Sequence, residues 1–148
     1  MVAKIMVVED EIIAAMEVKL VLEDEGYIVS DLISSGELAV KKAIEVQPDL
    51  VIMDIQLKGI MDGIEAGEEI QSILHIPVIY FTAFSEDQIL QKVKSSHPSG
   101  FIKKPVNIIL KPFEVDEITL KIQNALGKSK TTKIPASGSL KRILVNKV

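Results

Sequence analysis

Four short apolar runs in this chain each end in a polar group that can do chemistry. Residues 5–8, Ile-Met-Val-Val, are followed by Glu9 and Asp10. Residues 50–53, Leu-Val-Ile-Met, are followed by Asp54. Residues 78–81 lead into Thr82 and Ala83, and residues 100–102 into Lys103, Lys104 and Pro105. If these runs are neighbouring parallel strands, their carboxyl ends share one edge, where open parallel sheets build their sites. That edge would hold three carboxylates, a hydroxyl and an ammonium. Clustered carboxylates repel one another and call for a neutralising cation. A small hard cation suits oxygen donors, and magnesium takes few carboxylates and fills the remaining positions with water and phosphate oxygens. An aspartate in such a cluster is also a nucleophile toward a phosphoryl group, giving an acyl phosphate. Metal, lysine and hydroxyl would then stabilise charge on the phosphoryl oxygens. Each group has an ordinary explanation by itself: Glu9-Asp10 can open a helix, Asp54 and Lys104-Pro105 can make turns, and Thr82 can be structural. Their coincidence at four strand ends favours the chemical reading.

The elements that must position these groups alternate regularly. Strands are expected at residues 5–8, 27–32, 50–53, 78–81 and from Gly100 through Ile102. The continuous apolar run at 50–53 is that of a strand covered on both faces. Ile13, Met16, Leu20 and Val21 mark the face of a first helix that stops at Gly26. Ser34 and Glu37 have capping-box spacing and open a second helix through about residue 45, which ends at Gln47-Pro48. Ala66, Ile70, Ile73 and Leu74 mark a third, broken by Pro77. Ser85 with Gln88 opens a fourth through about residue 95, and Ile118, Ile122, Ala125 and Leu126 mark the last. Strands alternating with helices predict an α/β domain with a parallel sheet.

Composition narrows the classes. At 148 residues and 47% hydrophobic, one domain with an ordinary core is expected rather than a disordered chain. No cysteine is present, which excludes disulfides, thiolate nucleophiles and cysteine-ligated metal centres. The only histidines, His75 and His97, have no evident partner and read as structural. No run approaches the ~20 apolar residues of a membrane span, and Met1 to Val8 is too short to be a signal peptide, so a soluble cytoplasmic protein is expected. Six of the 17 basic residues and none of the 21 acidic ones lie in residues 127–148. The preceding 126 residues therefore carry 11 basic against 21 acidic groups, a net charge of −10. The expected organisation is an acidic domain over 1–126 and a basic, linker-like tail over 127–148. An acidic body argues against nucleic-acid binding by the domain itself.

In order along the chain, Ile5-Met6-Val7-Val8-Glu9-Asp10-Glu11, Leu50-Val51-Ile52-Met53-Asp54-Ile55-Gln56, Met61-Asp62-Gly63, Tyr80-Phe81-Thr82-Ala83 and Gly100-Phe101-Ile102-Lys103-Lys104-Pro105 resemble a response-regulator receiver domain. Such domains are the phospho-acceptor half of two-component signalling. The resemblance spans residues 1 to about 126 and implies a flavodoxin-like, doubly wound, five-stranded parallel sheet in the order 2-1-3-4-5, with helices on both faces. It implies that Asp54 is the phosphorylated aspartate. Glu9 and Asp10 would be the acidic pair that holds Mg2+ (or Mn2+), with the backbone carbonyl of Gln56 completing the protein ligands. Thr82 would move toward the phosphoryl group, and Phe101 would be the aromatic switch. A sensor histidine kinase or phosphotransfer protein would be the donor. A downstream protein would read the result, and homodimerisation would use the face of helix four, strand five and helix five. The chain as a whole resembles a single-domain, chemotaxis-type receiver.

Two departures from the family pattern stand out. The loop after Asp54 is one residue longer than the commoner form and lacks its proline. The lysine-proline pair occurs twice, as Lys104-Pro105 and Lys111-Pro112, as if seven residues, 103–109, were inserted at the edge of the site. Lys104 is the favoured active-site lysine because Phe101 precedes it by three residues, and Lys111 is the alternative. The duplication motivates a second reading, a phosphorylation-independent protein-binding module. A freestanding hydrolase is disfavoured, because the second aspartate expected two residues after the nucleophile is Gln56.

Overall fold

The computed structural model describes residues 2–83, 88, 91, 100–103 and 115–128. Within them the order is β1 (Lys4–Val8), α1 (Ile12–Asp24), β2 (Ile28–Ile33), α2 (Gly36–Val46), β3 (Leu50–Asp54), α3 (Gly63–Leu74), β4 (Val78–Thr82), β5 (Gly100–Lys103) and a C-terminal helix α4 (Val115–Lys128). The strands form one sheet in the order β2-β1-β3-β4-β5, and every pairing is parallel. This is the doubly wound α/β fold expected from the strand–helix alternation. Of the helix expected at 85–95 only residues 88 and 91 are described; the rest of it, Lys104, Lys111, the inserted segment after Lys103, His97 and residues 129–148 lie outside the described residues.

Two cores flank the sheet because alternate strand residues point to opposite faces. On one face Met6, Val8, Val51, Met53, Val78 and Tyr80 pack with Ala39, Val40 and Ala43 of α2 and Ile64, Ala66 and Ile70 of α3. On the other, Ile5, Val7, Leu50, Ile52, Ile79, Phe81 and Ile102 pack with Val18 and Leu22 of α1 and Ile118, Ile122, Ala125 and Leu126 of α4. Every residue of β3 and β4 is buried. Both strands therefore read as unbroken apolar runs in sequence.

The face of α1 differs from expectation. Ile13, Met16 and Leu20 are 74%, 51% and 62% exposed, whereas Ala14, Ala15, Val18 and Leu22 are buried. The helix is apolar on nearly all sides, so spacing alone does not choose the inward stripe. The two alanines let the helix lie close to the sheet. In α3, Ile73 is likewise 47% exposed, and the inward positions are Ile64, Ala66, Gly67 and Ile70. The start of α2 also shifts by one residue. Its N-cap is Ser35, whose hydroxyl accepts from the Leu38 N–H at 3.2 Å. Glu37 does not close a box with Ser34. His75 adopts the left-handed conformation that ends α3 (φ 57°).

These assignments separate two substitutions that the apolar pattern ranks in the opposite order. Leu22→Ala should lower the unfolding free energy by about 2–5 kcal/mol. Ile13→Ala should change it by no more than about 0.5 kcal/mol. Urea unfolding of the two variants checks the orientation of α1.

Candidate functional site

The polar strand ends converge at the carboxyl edge of the sheet. β1 and β3 are adjacent, with Val8 opposite Met53, so Glu9-Asp10 and Asp54 leave the sheet side by side. One carboxylate oxygen from each of Glu9, Asp10 and Asp54 lies within 4.8 Å of the other two. Glu9 is 3% exposed and Asp54 2%, while Asp10 is half-buried. Thr82 ends β4, the next strand, and is fully buried. In the β3–β4 and β4–β5 registers Asp54 lies opposite Phe81, and Thr82 opposite Lys103. Glu9, Asp10, Asp54 and Thr82 thus occupy one edge, as their sequence positions predict. Gln56 follows two residues after Asp54, with an exposed side chain.

Buried carboxylates need donors, and the adjoining loops supply backbone ones. The Gln56 N–H donates to Asp54 Oδ1 at 3.0 Å. The Glu11 N–H donates to Glu9 Oε2 at 3.3 Å, and the Glu9 N–H donates to the Ile33 carbonyl at 2.8 Å, tying the end of β1 to β2. Three oxygen ligands with a formal charge of −3 have the donor chemistry of a hard divalent cation. Mg2+ suits the donor chemistry of this set.

Several residues that shape the site were given no role by sequence reasoning. Gly63 opens α3 and donates its N–H to the Ile55 carbonyl at 3.0 Å. A Cβ on Gly63 would lie 1.8 Å from the Asp54 carbonyl oxygen, so only glycine lets α3 approach the end of β3 this closely. Asp62 caps the same helix: the Glu65 N–H donates to its Oδ1 at 2.8 Å, and its own N–H donates to Glu65 Oε1 at 3.2 Å. The sequence signal was present, because Asp-Gly followed by Glu three residues after the aspartate is a helix start. Tyr80 is fully buried on the same sheet face as Phe101, which is partly buried. Their rings stack with centroids 6.2 Å apart and planes inclined at 25°. The Tyr80 ring fills the space that a side chain at Gly67 would need, with its hydroxyl oxygen 2.3 Å from that Cβ position. Lys121 of α4 donates its ammonium to the Phe101 carbonyl and also pairs with Glu117 at 3.0 Å.

The response regulator receiver domain profile matches residues 5–123. The chain belongs to that family. Among curated relatives, the transcriptional regulatory protein PdtaR of Mycobacterium tuberculosis is 32% identical over 105 residues, covering 71% of this chain and 51% of that protein. The chain spans about half the length of the curated relatives it matches. Among solved structures, the response regulator domain of CheB from Thermotoga maritima superposes with a TM-score of 0.77 at 28% identity, covering 87% of this chain and 99% of that one. The signal receiver domain of a modulated diguanylate cyclase from Desulfovibrio desulfuricans gives the same TM-score at 29% identity, over 86% and 96% of the two chains. Receiver domains bind Mg2+ at an acidic pocket, and the acidic cluster of this receiver is Glu9, Asp10 and Asp54. No described helix is long and apolar enough to cross a membrane.

The close approach of α3 gives a direct test of the packing. Gly63→Ala must displace the helix start from the Asp54 carbonyl and should destabilise the receiver by at least about 1–3 kcal/mol. A urea midpoint equal to that of the parent would contradict the contact.

Proposed function

We propose that this receiver accepts a phosphoryl group on Asp54 from a phosphohistidine of a partner kinase or phosphotransfer protein, and signals through the resulting change of its binding surface. The observation that carries the reading is the meeting of the Glu9, Asp10 and Asp54 carboxylates at one sheet edge, with Thr82 buried on the neighbouring strand. Asp54 is the nucleophile. One of its carboxylate oxygens attacks phosphorus, an O–P bond forms, and the P–N bond to the donor imidazole breaks with its electron pair leaving on nitrogen. The Gln56 N–H holds the other role at this carboxylate, fixing its orientation through Oδ1. Mg2+ (or Mn2+), held by Glu9, Asp10, Asp54 and the Gln56 backbone carbonyl, supplies neutralisation of the carboxylates and of the charge on the phosphoryl oxygens. Thr82 donates its hydroxyl hydrogen to a phosphoryl oxygen. Lys104, with Lys111 as the alternative, pairs its ammonium with another.

The same assignments explain how the signal leaves the site. Movement of Thr82 toward the phosphoryl group vacates space beside Phe101, whose ring changes rotamer. The surface of residues 85–95, β5 and α4 then shifts its population between two forms. Its reader is a downstream protein or a second copy of this chain. Residues 1–126 form the receiver unit, and a basic, linker-like tail follows over 127–148, its first two residues closing α4. Turnover of external phosphoesters is not expected, since Gln56 stands where aspartate-based phosphatases carry a second aspartate.

Incubation with acetyl phosphate and Mg2+ should add one phosphate to the parent chain by intact mass. No adduct should form on Asp54→Asn or after chelation of the metal. A folded parent that stays unmodified by acetyl phosphate and by a phosphohistidine donor would instead favour a phosphorylation-independent binding module.

A further inference from the structure

The loop at residues 55–62, between β3 and α3, is one of the two segments that depart from the common receiver pattern. It is anchored at three heights. At its base the Gly63 N–H donates to the Ile55 carbonyl, and the Gln56 N–H donates to Asp54 Oδ1. Midway, Leu57 is buried in the core. At its tip the chain turns through Gly59, whose φ of 118° suits glycine, and Ile60 is 95% exposed. The tip is held from outside the loop. The Met61 N–H donates to Glu37 Oε1 at 2.5 Å, a short bond to a carboxylate across 24 positions of sequence. The Glu37 carboxylate also lies over Gly59, with its oxygens 3.3 and 3.5 Å from where a Cβ would stand.

Two observations show that this contact is built rather than incidental to α2. The N-cap position is filled by Ser35, whose hydroxyl accepts from the Leu38 N–H, so Glu37 is not the cap of this helix. Gly36, the first residue of α2, has its Cβ position 2.7 Å from the Met61 carbonyl oxygen and 3.3 Å from that of Asp62. The end of α2 therefore meets the loop backbone directly, and Glu37 reaches over the contact to grip the tip.

We propose that Glu37 is a positioning residue for the phospho-acceptor site: it closes the lengthened β3–α3 loop through Met61 and Gly59, and so holds Gln56 in register with Asp54. The proposal rests on the reading of Asp54 as the acceptor and of Gln56 as a backbone ligand. Without the grip on Met61, Gln56 is held by its single bond to Asp54 and the burial of Leu57, and displacements near 1 Å matter at such sites.

The test compares Glu37→Ala with Glu37→Gln. Glutamine keeps an oxygen that accepts the Met61 N–H, and both variants lose the same charge. Hydrogen exchange of the Met61 amide, measured without metal or phosphoryl donor, should quicken about tenfold or more in Glu37→Ala and stay near the parent rate in Glu37→Gln. The dissociation constant for Mg2+ should rise by about tenfold in the alanine variant and be largely restored in the glutamine one. Urea midpoints of both variants should remain close to the parent, which separates loop position from global stability. Unchanged Met61 exchange in Glu37→Ala, unchanged Mg2+ affinity, or identical behaviour of the two variants would overturn the proposal. Failure of the acceptor reading registers elsewhere, as an unmodified parent chain, and leaves the metal-free exchange result standing.

Discussion

Everything in this receiver is arranged around the cost of holding three carboxylates together. Their oxygens lie within 4.8 Å of one another, and Glu9 and Asp54 are almost wholly withdrawn from water. Buried like charges are unfavourable unless donors and a counter-charge meet them. A parallel sheet answers the geometric half of this problem, because it delivers the carboxyl ends of adjacent strands to one edge. Backbone N–H groups of Gln56 and Glu11 answer part of the electrostatic half. A hard divalent cation fits the remainder.

The precision of the edge depends on how closely backbone segments approach it. Gly63 places the start of α3 against the Asp54 carbonyl, and Gly36 places the start of α2 against the carbonyls of Met61 and Asp62. Between these two helix starts runs the loop that carries Gln56. Gly67 performs a related task deeper in the core, where the absence of a side chain admits the Tyr80 ring that stacks on Phe101. Main-chain contacts of this kind yield little, because close-packed interiors have no free volume into which a displaced segment can relax. The site thus inherits its rigidity from the helices that abut it, not from the carboxylates themselves.

The sequence made the strands and the acidic cluster readable for a shared reason. Strands buried on both faces are apolar throughout, so a polar residue at their end stands out, as Glu9, Asp54 and Thr82 do. α4 was equally legible, since Ile118, Ile122, Ala125 and Leu126 form a single stripe and all are buried. α1 was not, because isoleucine, methionine and leucine on its outer side outweigh the small Ala14 and Ala15 that face the sheet. The role of Glu37 was hidden by a plausible local partner. Its spacing from Ser34 suits a capping box, whereas the group it meets lies on another loop, and local pattern carries no information about that distance. Gly63 was visible as part of a helix start, but its contact with Asp54 is a property of the packed fold.

The central claim is that Asp54, and no other carboxylate of the cluster, is the nucleophile. Its most direct measurement is borohydride trapping after phosphorylation with Mg2+ and a phosphohistidine donor, followed by peptide mass mapping. Reduction of the acyl phosphate should convert Asp54 to homoserine, with Glu9 and Asp10 unaltered. Recovery of the reduced residue at position 9 or 10, or the absence of any reduced residue in protein that carries phosphate, would contradict the account.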